Sequence, residues 1–288
     1  MAAGGTLAHE FIPPPPGEIL GHPKPLWMLF CAEFWERFCY YGMRALLAVY
    51  VAATFFGHLP EGEGNAQASL TYGGYTALVY ATAILGGYVA DNYLGYQRSI
   101  ILGGALIALG MFMLLIPQLQ WFLAGLAVIV AGNGLFKPNI STMVGALYAP
   151  QDSRRDSGFT IFYMGINAGA FVAPIVCASV VGARFGYRYG FLAAGIGMVF
   201  GIVVFQFLAG MLGHIGKAPA GREGVKPVLV VLGGAAAMVP LLWLLLSKSE
   251  VLGYVLIGLM LFLVLYFLAS GIRSVSYTHL TLPTNREV

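Results

Sequence analysis

The chain has 288 residues, of which 59% are hydrophobic and only 9% charged, and its formal net charge is +3. Soluble domains carry roughly 25% charged residues, so this composition excludes a soluble globular fold and predicts an all-α polytopic membrane protein. The His and Cys spacings are not typical of a metal site, and neither Gly-x-Ser-x-Gly nor His-Glu-x-x-His occurs. We therefore expect no enzyme activity, no metal and no nucleic-acid partner.

The N-terminal stretch, residues 1–25, is polar and rich in Pro, with the sequence MAAGGTLAHEFIPPPPGEILGHPKP. It lacks the basic start and the apolar core of a signal peptide. We expect a cytoplasmic tail that is either disordered or ordered by contact with the rest of the protein.

Eight apolar segments are long enough to cross the hydrocarbon core, which takes about 20 helical residues. They cover residues 26–56, 69–91, 97–117, 121–147, 157–182, 187–213, 226–247 and 250–271. The first six predict a bundle over residues 26–213, which a polar linker at 214–225 separates from a two-helix hairpin at 226–271. The hairpin segments PVLVVLGGAAAMVPLLWLLL and VLGYVLIGLMLFLVLYFLAS contain no charge, which predicts a lipid-facing position.

The final stretch, SVSYTHLTLPTNREV, is short, polar and unlike any of the spans. We expect residues 272–288 to be an aberrant or truncated end, beyond which the natural chain continues. An ordinary cytoplasmic tail is the alternative.

Lys and Arg are distributed unevenly when the N-terminus is placed inside. The inner side then has Lys24, Arg98, Arg154, Arg155, Lys217, Arg222, Lys226, Arg273 and Arg286, and the outer side has Arg184, Arg188 and Lys248. Cytoplasmic loops carry an excess of Lys and Arg. This distribution predicts a cytoplasmic N-terminus in a multi-pass protein of the cell inner membrane.

The first span contains four charged residues, although each charge at the bilayer centre costs roughly 2.5–3.5 kcal/mol on insertion scales. One helical face carries, at offsets i, i+4, i+8 and i+11, Glu33, Arg37, Tyr41 and Arg44. Glu36 lies on the adjoining edge, and Glu33 can pair with Arg37. The stripe predicts a wall of a solute path, and ion pairs that only lock helices together are the structural alternative.

Polar residues on later spans are candidates for the same path. Lys137 lies mid-span before Pro138, and a buried Lys readily changes its protonation state, so it is either a proton-linked switch or a partner for an acidic residue of the first span. Tyr163 and Asn167 are spaced i, i+4 among small residues that favour close helix packing. Tyr80 stands alone in the second span.

The charges within the spans do not balance. The two Glu residues of the first span are outnumbered by Arg37, Arg44 and Lys137, which leaves one positive charge. An uncompensated charge in a low-dielectric site is costly. The excess therefore predicts an anionic partner, which is either a substrate carboxylate or an acidic residue from helices outside these 288 residues.

The turn between the second and third spans reads GGYVADNYLGYQRSIILGG. We expect Gly86 and Gly87 to end the second span and Gly95 to allow the bend. The turn resembles the signature loop of the major facilitator superfamily, in which the acidic residue caps a neighbouring helix and helps to gate the inner side. The resemblance implies a cytoplasmic gating loop that contains Asp91 and Arg98.

The segment EFWERFCYYG resembles the first-helix motif of the proton-dependent oligopeptide transporter family, Glu-x-x-Glu-Arg-Phe-x-Tyr-Tyr-Gly, at every defined position. GNGLFKPNIS and FTIFYMGINAGAFVAPIV resemble its fourth- and fifth-helix signatures. The resemblance covers about residues 24–213 and implies the six-helix N-terminal bundle of the major facilitator fold. The neutral hairpin is similar to two extra helices of bacterial members, and the second bundle is absent from this chain.

The resemblance implies proton-coupled symport of di- and tripeptides, driven by the proton gradient without a cofactor. It implies a proton-coupling set of Glu33, Glu36, Arg37 and Lys137. The implied peptide contacts are Tyr41, Arg44, Tyr80, Lys137, Tyr163 and Asn167. The other partners implied are protons, the lipid bilayer and the missing C-terminal bundle. Two alternatives stay open: another facilitator, for nitrate, nucleosides or drugs, and a transport-inactive fragment.

Overall fold

The computed structural model describes residues 12–281, and long helices make up most of this part of the chain. Its eight long helices are α1 Lys24–Phe55, α2 Glu61–Val89, α3 Tyr96–Met113, α4 Leu119–Ala146, α5 Arg155–Ala173, α6 Tyr187–Leu208, α7 Lys226–Ser247 and α8 Ser249–Thr281. A π-helical stretch over Pro174–Gly182 and a short turn over Ala183–Phe185 prolong α5. The eight helices coincide with the eight predicted spans.

Within the described residues, seven of these helices are long and apolar enough to cross a membrane, and α2 is not among them. Its 29 residues span about 43 Å at 1.5 Å per residue, so its length is sufficient. Its composition is the reason, because Gly, Tyr and Thr are frequent along the whole helix and lower its mean hydropathy. Helix α2 packs against both α1 and α4. That it crosses the membrane stays a prediction.

The predicted end of the second span at Gly86 and Gly87 is wrong. Helix α2 continues to Val89 and is followed by a π-helical turn over Ala90–Leu94. Gly86 has a different role, because a Cβ at this position would overlap the backbone of Gly134 in α4. The glycine therefore lets α2 and α4 touch.

Helix α4 lies at the centre of the bundle and is in close contact with α3. A Cβ added to Gly132 would lie 2.6 Å from the carbonyl oxygen of Gly103, and one added to Gly110 would lie 2.6 Å from that of Gly125. Small residues allow membrane helices to approach this closely. The two glycine pairs therefore set the distance between α3 and α4.

The two helices of the hairpin have different surroundings. Helix α7 packs against α4 and α2 with Val231, Ala235 and Leu242 buried, and the Trp243 indole donates to the Gln120 carbonyl at 3.2 Å. Most described side chains of α8 are exposed. A membrane-length apolar segment of α8 covers Val251–Gly271, and the helix extends to Thr281. The aberrant or truncated end over residues 272–288 stays a prediction, and residues 282–288 lie outside the described residues.

Part of the predicted N-terminal tail is ordered by contact with the α4–α5 connection, whereas residues 1–11 lie outside the described part. Short antiparallel strands β1, Glu18–Ile19, and β2, His22–Pro23, precede α1. His22 Nδ1 lies 2.8 Å from the Tyr148 hydroxyl, and Arg154 Nη1 lies 2.7 Å from Glu18 Oε1. Burial raises the pKa of Tyr148 to about 12, so this hydroxyl keeps its proton at neutral pH.

We expect acid to release this N-terminal segment. Arg154 donates from its side chain and its backbone to the Asp152 carboxylate, and these hydrogen bonds lower the pKa of Asp152. A lowered pKa in the folded state means that the pairing is intact above the ordinary value of about 3.9 and is lost as the pH falls through the lowered value. Spin labels at positions 20 and 153 should report a narrow distance distribution at neutral pH that broadens in acid.

The Asp152→Asn variant should give the broad distribution at both pH values, because its amide no longer orients the Arg154 guanidinium toward Glu18. Asp156→Asn is the matched control and should behave as the parent does. An acid response that is identical in the parent and in Asp152→Asn would contradict the assignment.

Candidate functional site

A cluster of three ionisable side chains lies buried on α1. Glu33, Glu36 and Arg37 are 3%, 1% and 5% exposed. Arg37 Nε lies 2.9 Å from Glu33 Oε1 and also contacts the Glu36 carboxylate. The pair predicted between Glu33 and Arg37 is present, and Glu36 extends it to a triad. Because one continuous helix carries all three groups, their relative positions are fixed by helix geometry.

The triad has more negative than positive charge. It contains two carboxylates and one guanidinium, and among the described residues neither Glu33 Oε2 nor Glu36 Oε1 has a hydrogen-bond partner. A buried polar atom without a partner is unfavourable. A proton bound at either carboxylate would leave one ion pair with no net charge. The triad therefore has the composition of a proton-binding group.

Lys137 lies near the triad but does not pair with it. Its Nζ lies 4.1 Å from the centroid of the Tyr80 ring, a cation–π contact. Its charge interacts with both Glu33 and Glu36, but within the described part of the chain it has no carboxylate within 4.0 Å. The structure thus brings together Lys137 and Tyr80, and the exchange of ion-pair partners stays a prediction.

Arg44 is held by two tyrosines that the sequence interpretation did not assign to the site. Its Nε donates to the Tyr72 hydroxyl, and its Cζ lies 5.0 Å from the Tyr72 ring and 5.8 Å from the Tyr40 ring. Arg37 Cζ lies 5.2 Å from the centroid of the same Tyr40 ring. Tyr72 precedes Tyr80 by eight residues, so it shares a face of α2 with it, and this spacing was the signal that could have found it.

Helix α5 packs against α1 next to the triad. A Cβ at Gly165 would lie 2.9 Å from the Phe30 ring and one at Gly169 would lie 3.0 Å from Arg37 Cβ, so the close packing predicted for these small residues is present. Tyr163 is 55% exposed and Asn167 is also exposed. Neither side chain donates to or accepts from another described residue. Tyr163 and Asn167 are therefore accessible, unlike the buried triad.

We call these residues together the polar face and divide them by burial into two sets, the buried layer and the accessible layer. The buried layer is the triad of Glu33, Glu36 and Arg37. The more accessible layer comes from four helices and consists of Tyr41, Arg44, Tyr80, Lys137, Tyr163 and Asn167. Because the accessible layer contains cations, phenols and an amide, it can bind a carboxylate and peptide-like polar groups.

The predicted gating loop makes contacts both within itself and with the linker. The Tyr96 hydroxyl donates to Asp91 Oδ1 at 2.7 Å, where the family resemblance implied a helix cap. Arg98 donates to three consecutive carbonyls of the linker, those of Arg222, Glu223 and Gly224. Asp91 and Arg98 therefore do not pair with each other.

The bend at Gly95 is as predicted. Its φ is +74°, which favours glycine, and a Cβ there would overlap the Lys217 carbonyl. Gln97 also contacts the linker, with its backbone N–H donating to Gly216 at 2.9 Å. The α2–α3 turn and residues 215–224 are thus joined by several independent contacts.

A bundle of membrane-length helices that carries a buried triad of ionisable groups and further polar residues defines an integral membrane protein of the facilitator class. A model of the POT family matches residues 97–236. The di-/tripeptide transporter of Lactococcus lactis subsp. lactis (strain IL1403) is 47% identical over 210 residues, which cover 72% of this chain and 41% of that protein. The chain belongs to the POT family, as the helix motifs predicted.

Further comparisons agree with this assignment. Dipeptide and tripeptide permease B of Photorhabdus asymbiotica subsp. asymbiotica (strain ATCC 43949 / 3105-77) is 37% identical over 260 residues, covering 88% of this chain and 51% of that protein. A crystal structure of the peptide transporter POT in complex with sulfate superposes with a TM-score of 0.71 at 38% identity, covering 90% of this chain and 54% of the other. The chain thus spans about half the length of the curated relatives it matches.

Proposed function

We propose that the protein to which this chain belongs couples the entry of protons to the uptake of di- and tripeptides. The observation that carries the proposal is the buried triad of two carboxylates and one guanidinium within the polar face. It supplies a proton-binding group on the helix that also carries Tyr41 and Arg44, a phenol and a cation that suit a peptide. The names of the relatives, which are di- and tripeptide transporters and permeases, support the same substrate class.

Proton coupling is assigned to Glu33, Glu36, Arg37 and Lys137. With both carboxylates ionised, Arg37 serves two acceptors and Lys137 contacts the Tyr80 ring. A proton bound at Glu33 or Glu36 removes one acceptor, which releases cationic charge toward the polar face. That charge attracts an anionic group, so a proton and a peptide carboxylate bind best together.

Peptide binding is assigned to the accessible layer of the polar face. Arg44 and Lys137 attract the C-terminal carboxylate, since both are cations that lie on this layer. The backbone of the peptide is bound by side chains that carry hydroxyl and amide groups, namely Tyr41, Tyr80, Tyr163 and Asn167. The exposed Tyr163 and Asn167 have unused hydrogen-bonding groups, which supports their role as ligand contacts.

We place the protein in the bacterial inner membrane with its N-terminus in the cytoplasm, because Lys and Arg are more numerous on the side of the N-terminus than on the other side. The Arg98 contacts of the α2–α3 turn support a gating role for Asp91 and Arg98 on that side. The proton gradient supplies the energy, so neither a cofactor nor an enzymatic reaction is needed. The substrate site is completed by further helices of a second bundle.

The test compares proteoliposomes that contain the 288-residue chain with ones that contain a chimera, in which this chain replaces the matching portion of the L. lactis transporter. We expect the chimera to accumulate a labelled dipeptide when an inward proton gradient is imposed. Lys137→Gln should abolish this accumulation but retain exchange of labelled for unlabelled peptide, because exchange needs no net proton movement.

Lys248→Gln is the matched control, because Lys248 is an exposed Lys between α7 and α8, and it should leave both activities unchanged. Absence of dipeptide accumulation by both proteins, when each inserts and stays monodisperse, would overturn the proposed function. Proton-driven accumulation by Lys137→Gln at the parent rate would refute the role of Lys137 alone.

A further inference from the structure

A cavity of about 290 Å³ lies between α2, α4 and α7, apart from the polar face. Its floor is the contact between Gly86 and Gly134, where the two helices have no room for a side chain. Its α7 wall includes Val231, Gly234 and Ala235, and none of the polar-face residues lines it. The volume is near the lower end of the range for ligand clefts, about 300–1,000 Å³.

The cavity is apolar, and two of the helices that line it, α4 and α7, are long and apolar enough to cross a membrane. The hydroxyl of Thr82, in the floor, is already hydrogen-bonded to the carbonyls of Leu78 at 3.0 Å and Val130 at 3.2 Å. At the outer edge, Leu85 and Tyr88 are 56% and 59% exposed. A cavity without free polar partners in its floor is suited to a hydrocarbon chain and not to a peptide.

Basic residues border the cavity at the end nearest the linker. The Arg222 guanidinium carbon lies 4.2 Å from the centroid of the Tyr93 ring, and Tyr93 lines the cavity. Arg222 has no carboxylate within 4.0 Å among the residues that the structure describes. The α2–α3 turn, the linker that it contacts and the first residue of α7 have two more positive than negative charges. Their charged residues are Asp91, Arg98, Lys217, Arg222, Glu223 and Lys226.

We infer that the cavity binds one acyl chain of an anionic phospholipid, whose phosphate is held by Arg222. The planar guanidinium is matched to phosphate oxygens, and basic segments at the membrane surface attract anionic lipids. The bound lipid adds a contact between α7 and the α2–α4 pair, on the side where Arg98 already holds the linker. The hairpin is thereby fixed to the bundle by lipid as well as by protein contacts.

The experiment measures lipid retention by native mass spectrometry of the purified protein, titrated with phosphatidylglycerol or with phosphatidylcholine of the same acyl composition. Gly234→Leu places a side chain in the cavity, and a Cβ at Gly234 meets no atom within 4 Å, so the backbone need not move. Gly233→Leu is the matched control, because Gly233 is equally free of neighbours and does not line the cavity.

Phosphatidylglycerol should be retained better than phosphatidylcholine. Gly234→Leu should reduce retention of both lipids, and Gly233→Leu should not. Arg222→Gln should reduce retention of phosphatidylglycerol alone, by about fivefold, the contribution of one basic residue at a membrane surface, and Lys248→Gln should not. Equal retention of the two lipids, or equal effects of a variant and its control, would overturn the inference. The comparison of Arg222→Gln with Lys248→Gln remains valid even if a leucine variant fails to fold, because Arg222 is an exposed linker residue.

Discussion

Replacing Arg37 by Gln is expected to lower the free energy of unfolding by about 3–5 kcal/mol, the cost of removing one partner of a buried ion pair. The triad depends on this single guanidinium, since Arg37 contacts both Glu33 and Glu36. Without it, two carboxylates that are at most 3% exposed face each other in α1. A loss of this size is a substantial fraction of a typical stability of about 5–15 kcal/mol, so the variant should melt well below the parent.

The measurement is thermal unfolding of the detergent-solubilised protein, followed by intrinsic fluorescence and by size-exclusion profile. Glu33→Gln should be milder, because Arg37 keeps Glu36 as its partner. Arg44→Gln is the control for loss of a cation from α1, since Arg44 is half-buried and lies against tyrosine rings. If Arg37→Gln and Arg44→Gln have the same melting temperature, the triad does not stabilise the fold in the way its burial indicates.

Replacing Gly132 by Val is expected to separate α3 from α4 and to disrupt the bundle. Even a Cβ at this position would lie 2.6 Å from the Gly103 carbonyl and 2.8 Å from the Ile107 backbone nitrogen, and no side-chain rotation relieves a clash with backbone. Overpacking of a core costs typically about 1–3 kcal/mol, and here the shift also opens the second contact, between Gly110 and Gly125. The total effect should therefore exceed that of one overpacked side chain.

Gly73→Val is the matched control, because Gly73 is exposed on α2 and a Cβ there meets no atom within 4 Å. It has the same change in helix propensity without the clash, so its melting temperature should be close to that of the parent. Cysteine cross-linking between the N-terminal end of α3 and the C-terminal end of α4 should also decrease in Gly132→Val alone. Equal stability of the two valine variants would contradict the close approach of α3 and α4.

The sequence identified the helices well, because the bilayer fixes how many apolar residues a span needs. The eight predicted segments all correspond to helices, and the error at Gly86 and Gly87 shows the limit of local signals. A glycine considered alone indicates a helix end, but Gly86 lies inside α2, where it contacts Gly134 of α4. That contact belongs to another helix, which local preference cannot include.

The polar face was also partly determined by the sequence. Glu33, Arg37, Tyr41 and Arg44 share a face of α1 because helical periodicity fixes their directions. Their assignment to proton coupling and peptide binding came from the family resemblance and stays a prediction. What the periodicity could not give was the partner of each group, as for Arg44, which is bound by Tyr72 from a different helix.

By itself, then, the sequence determined where the helices lie and which face of α1 is polar, since both follow from spacing along one helix. Only the tertiary structure decided that Lys137 contacts Tyr80, that Arg98 holds the linker, and that His22 of the N-terminal segment reaches Tyr148. These partners are far apart in the chain, and their meeting depends on how each helix is rotated and how closely it packs. Rotation and distance are set by backbone contacts between helices, such as that of Gly103 with Gly132, and a period along one helix carries no information about them.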